Sequence, residues 1–138
     1  MKKLLLISGV LLIAGITYGQ NLQKGALLGL HTSTLVLNPD VTMNQYLVFL
    51  RDKYIPEFEK ALPGLKVYIL KGIRGECMDC LSLLMVFQSE AIRDKYFKPE
   101  GDFNDAGKAA ADKLKSLFDE ESKLARTSKD IYTDWIIQ

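Results

Sequence analysis

Two short stretches constrain the fold of this chain more than any others. Residues 65–73 (LKVYILKGI) and Leu81–Phe87 (LSLLMVF) have the length and composition of strands, and the loop at 74–79 between them is marked by Gly75 and Asp79. They predict an antiparallel hairpin. Side chains alternate between the two faces of a strand, so a strand covered on one side alternates apolar and polar residues. These do not. Leu83, Met85 and Phe87 share one face with Leu84 and Val86 on the other, and Val67 and Ile69 oppose Tyr68 and Leu70. A hairpin of this kind calls for cover on both faces.

The remaining elements say where that cover comes from. Residues 25–37 (GALLGLHTSTLVL) form a charge-free strand, stopped by Asn38-Pro39-Asp40. Thr42 and Gln45 fit a capping box, and Met43, Leu47, Leu50, Tyr54, Phe58 and Leu62 then recur at helical spacing. Pro56 should kink or split that helix near Ile55, and Pro63-Gly64 should end it. Ser89 is placed to cap a short helix reaching about Tyr96. After a loop at 98–104, Asp105 is expected to cap a last helix. Its stripe of Ala110, Leu114, Leu117 and Phe118 is broken by Glu121, and its charged residues, Glu121 among them, read as a solvated face. Residues 131–137 (IYTDWII) read as the final strand. Trp135 and the stripe of Met43, Leu47 and Leu50 are expected in the core.

The order strand, helix, strand, strand, helix, strand predicts an α+β, ferredoxin-like βαββαβ fold. Its four-stranded antiparallel sheet would carry both helices on one face. The other face is left bare, so a second copy is expected to cover it, making a homodimer with sheets packed face to face.

The first residues stand apart from this domain. Met1-Lys2-Lys3 is a positive start, an apolar run extends to Ile16, and Thr17 and Gly19 place small residues before a cut at Gln20. Residues 1–19 are therefore expected to be a signal peptide, and 20–138 the domain. The apolar run is short of the roughly 18 residues that span a bilayer. The expectation is an exported protein, periplasmic or secreted, with no membrane attachment once the leader is cut. Removing Lys2 and Lys3 leaves 16 basic against 17 acidic residues, a net charge of −1, which argues against nucleic acid as a partner. The 119 residues left after position 19 suffice for one core.

Beyond the element order, the turn NPDVT, the helix end KYIPEFEK, the segment SEAIRDKYF and the terminal YTDWIIQ resemble the dimeric α/β-barrel superfamily, which includes antibiotic-biosynthesis-monooxygenase-like and stress-responsive barrel domains. The resemblance spans nearly the whole of 20–138 and implies a homodimer with a ligand-sized space between sheet and helices. It transfers no activity, because such folds host cofactor-free oxygenases, haem-degrading enzymes, lyases and non-enzymes.

Candidate chemistry is sparse. Cys77 and Cys80 (CMDC) fall in the hairpin loop. The sequence leaves three readings open: a small-loop disulfide favoured by export, a redox or soft-metal function, and free buried thiols. His31 is the single histidine, embedded in a charge-free strand, and is either a base or ligand contact or a hydrogen-bonded core residue. By strand parity, Tyr68, Arg74 and Glu76 group together, as do Tyr132 and Asp134. His31, Tyr68, Arg74, Glu76 and Asp134 are the candidate ligand-binding residues, with exposure at strand ends as the alternative for Arg74, Glu76 and Asp134. No metal site and no cofactor motif is evident, and there is no phosphate-binding Gly loop, Gly-x-Ser-x-Gly or metalloprotease His pair. The function these features imply is small-molecule binding by an exported barrel, without a visible catalytic constellation. The alternative is a cofactor-independent monooxygenase-like or haem-handling enzyme.

Overall fold

A computed structural model describes residues 22–76, 78 and 80–138. The expected leader at 1–19 lies outside these residues, as do Cys77 and Asp79. Strand β1 (Leu27–Leu37) leads to helix α1 (Met43–Phe49), a π-helical turn (Leu50–Tyr54) and helix α2 (Ile55–Ala61). Strands β2 (Leu65–Lys71) and β3 (Leu81–Phe87) form the hairpin. Helices α3 (Glu90–Arg93), α4 (Asp105–Lys113) and α5 (Lys115–Ser122) precede strand β4 (Ala125–Ile136). The sheet order is β2-β3-β1-β4 and every pairing is antiparallel, the ferredoxin-like arrangement. Among the described residues no helix is long and apolar enough to cross a membrane.

The capping box forms as expected: the Thr42 hydroxyl accepts from the Gln45 N–H at 3.3 Å, and Gln45 Oε1 accepts from the Thr42 N–H at 2.8 Å. Pro56 splits the helix near Ile55, but through a widened turn and not a break. Proline has no N–H and its ring crowds the carbonyl four residues back. The Ile55 N–H accordingly reaches the Leu50 carbonyl, five residues back, while Leu50 and Ile55 keep right-handed helical dihedrals.

The buried face of this segment is Tyr46, Phe49, Leu50, Phe58 and Leu62; Met43, expected in the core, is exposed. The true stripe is rotated about one residue from the expected one, because aromatic Tyr46 and Phe49 carry more apolar surface than Met43. The last helix is two, joined at Leu114, and its N-cap is Asn104, whose side chain accepts from the Gly107 N–H at 3.0 Å; Asp105 is already the first helical residue. Gly107 is buried, and a Cβ there would stand 2.1 Å from the Tyr96 carbonyl oxygen.

Paired residues in neighbouring strands lie on the same face. Under the helices run the rows Leu65–Phe87–Leu27–Ile136, Val67–Met85–Gly29–Asp134 and Ile69–Leu83–His31–Tyr132. With the helix residues above, and Leu114, Leu117 and Ala125, the core takes Leu65, Phe87 and Leu27 of the first row and Val67 of the second, while Ile136 is exposed. The open face carries Lys66–Val86–Leu28–Trp135, Tyr68–Leu84–Leu30–Thr133 and Leu70–Ser82–Thr32–Ile131. Trp135, expected in the core, belongs to this face and is 60% exposed, with Ile131 at 55% and Tyr68 at 44%. Its parity opposite Asp134 puts it there.

At the outer edge of β2, Glu59 of α2 accepts from the Val67 N–H at 2.8 Å and pairs with Lys66. At the other edge, β4 begins six residues earlier than expected. Leu35 pairs with Thr127 and Leu37 with Ala125 beyond a one-residue register shift. The polar run ARTSKD conceals a strand because β1 continues alongside it.

Candidate functional site

Between the sheet and helices α1 and α5 lies a cavity of about 240 Å³. Its floor is His31, Ser33 and Leu35 of β1 with Ile69, Leu81 and Leu83 of the hairpin. Its roof is Tyr46, Leu50, Tyr54 and Glu121, and Thr127 of β4 closes a side. A second cavity of about 330 Å³ shares Leu35, Tyr46, Glu121 and Thr127 with it and continues past Phe118 to Arg126.

Glu121 breaks the apolar stripe of the last helix because it turns inward here, not outward to solvent as its neighbours do. The Tyr46 hydroxyl donates to Glu121 Oε1 at 3.0 Å. Burial pushes the Glu121 carboxyl above the ordinary carboxylate range, against the hydrogen bond from Tyr46, which pulls it down. Burial, and then the neighbouring Glu121 charge, push the Tyr46 and Tyr54 phenols well up, so both keep their protons at neutral pH.

A polar network adjoins the cavity. The His31 ring packs on Tyr132 with centroids 4.5 Å apart and planes tilted by 38°. Tyr132 accepts from Arg93 Nη2 at 3.1 Å, and Arg93 pairs with Asp134 Oδ2 at 3.2 Å and Asp94 Oδ1 at 3.3 Å. Arg93 also donates to the Lys98 carbonyl and lies 5.5 Å from the Phe97 ring centroid. It is 2% exposed, yet its Nε and Asp134 Oδ1 find no partner among the described residues. Burial raises the Tyr132 phenol, with Asp134 adding to the shift.

The five candidate residues do not converge. His31 lines the cavity, and Asp134 lies on the same face one row away, committed to Arg93. Tyr68 is on the opposite, open face, because its parity differs from that of Ile69. Arg74 and Glu76 are exposed in the β2–β3 loop, beyond the end of the pleat, where strand parity no longer sets direction. The Cys77–Cys80 pair falls partly outside the described residues. Among those residues no group of three His, Cys, Asp or Glu side chains is placed to hold a metal ion. Sequence reasoning missed Glu121 and Arg93. The signal for Glu121 was its position in an apolar stripe. The signal for Arg93 was weaker: a cap at Ser89 that turns the fourth helical residue toward the sheet.

No protein-family model and no curated protein matches the chain. Among solved structures it is similar to a dimeric protein of unknown function and ferredoxin-like fold from Bacteroides fragilis NCTC 9343. The identity is 13%, the match covers 83% of this chain and 98% of that one, and the TM-score is 0.40. Function is therefore read from this chain's own residues.

Proposed function

We propose that this protein is exported, pairs with a second copy through its open sheet face as a dimeric α/β barrel, and binds a small molecule in the cavity above His31. The observation that carries the binding reading is the cavity itself. Polar His31, Tyr46 and Glu121 are set among Leu35, Leu50, Ile69 and Leu83, the mixture of apolar wall and few polar anchors that fixes a ligand's orientation. Pairing is supported by the three open-face rows, in which Trp135, Ile131, Tyr68 and Leu70 are exposed together.

A fragment screen followed by amide and His-ring resonances tests the binding reading. Fragments should shift His31 and residues around Glu121, and His31→Ala should remove those shifts while leaving the elution volume unchanged. A screen in which no fragment perturbs the cavity, or in which His31→Ala only unfolds the chain, makes His31 a packing residue and ends this reading.

A further inference from the structure

We infer that the ligand of this cavity carries a nitrogen cation, an ammonium or amidinium group on a compact apolar body, and that Glu121 receives it. The inference rests on the small-molecule reading and narrows its ligand class.

Two features give the cavity its sign. Glu121 is the one carboxylate among its described lining residues, and no Lys or Arg is among them; Arg126 borders only the neighbouring cavity. The Tyr46 hydroxyl also donates its proton to Glu121 Oε1, so what the pair has left to offer a ligand is acceptor lone pairs.

A carboxylate accepts at two oxygens, and Tyr46 fills a place at only one of them. An ammonium or amidinium at the other would form a charge-assisted bond and return the solvation that burial removes. The raised carboxyl of Glu121 agrees with a charge that burial leaves short of full compensation. Leu50 and Leu83 then meet the apolar body. A carboxylate or phosphate ligand would face repulsion instead.

Benzylamine, benzyl alcohol and benzoate, three probes of one shape and different charge, separate these cases by calorimetric titration of the folded chain at neutral pH. Benzylamine should bind about tenfold more tightly than benzyl alcohol, the scale of one charge-assisted hydrogen bond, and benzoate more weakly still. In Glu121→Gln the amine's advantage over the alcohol should disappear. Equal binding of all three by the wild type, preference for benzoate, or an amine advantage that survives Glu121→Gln overturns the inference. If none of the three binds while other fragments shift the cavity resonances, the ligand class is wrong and the binding reading stands. If no fragment of any kind binds, both fall.

Discussion

Glu121 is held where its charge is costly, and the sign of that cost is testable without any ligand. Its carboxyl ionises less readily in the folded chain than in the unfolded one, because burial raises it. The unfolded chain therefore loses this proton first as pH rises. Stability from this group is complete below the ordinary carboxylate value and declines as pH climbs through that value to the raised folded one. Glu121→Gln keeps an acceptor for the Tyr46 hydroxyl and removes the titration. Its melting temperature should exceed that of the wild type at neutral pH, and the gap should close in acid below about pH 4. A thermal melt series across pH decides it, and a gap that persists in acid or has the opposite sign would overturn the burial account. Arg93 is the opposite case, a charge whose partners make it affordable. Arg93→Met strands Asp134 on the covered face, and the expected loss is about 3–5 kcal/mol in urea unfolding. A loss below about 1 kcal/mol would reduce the pair to an exposed-type contact. His31 was legible in the sequence as a polar group inside a charge-free strand. Arg93 was not, since nothing short of the β4 register places Tyr132 and Asp134 within its reach.

Helix α4 approaches the chain ahead of it so closely that only a hydrogen fits at Gly107. Alanine is the better helix former by up to about 1 kcal/mol, and on an open surface Gly107→Ala would stabilise. Here the added methyl meets the Tyr96 carbonyl and Phe103, so a net loss of about 2 kcal/mol is expected, read as a lower denaturant midpoint at unchanged slope. An unchanged or raised midpoint would mean that the loop yields. At this scale the sequence was informative wherever local chemistry decides. The bounds of β3, the box at Thr42 and the splitting effect of Pro56 all follow from residues within one turn of each other. It was uninformative wherever a distant partner decides. Arg126 and Thr127 are strand residues only because β1 runs on beside them, and Met43 leaves the core only because Tyr46 and Phe49 reach the sheet first.

On the scale of the molecule, the sheet is finished on one side and unfinished on the other. Burying the open face against its symmetry mate would remove Trp135 and Ile131 from water, each contributing about 1.5–3 kcal/mol if fully covered. Ile131→Asp sets two carboxylates near the two-fold and should yield a monomer in light scattering with its far-UV circular dichroism retained. A wild type that is already monomeric at micromolar concentration would remove the proposed pairing. Two covalent predictions accompany the proposed export: by mass spectrometry the secreted form should begin at Gln20, and thiol titration of that form, unfolded without reductant, should find Cys77 and Cys80 oxidised. Retained residues 1–19 or two titratable thiols would contradict them. The carboxylate of Glu59 has a bearing on how such a protein behaves when crowded. Sheets grow into fibrils by recruiting strands at their rims, and the β2 rim, where the Val67 amide is already answered from within its own chain, is a poorer template. Lateral addition is discouraged at that rim, and the proposed pairing, closed about a two-fold, would itself stop at two.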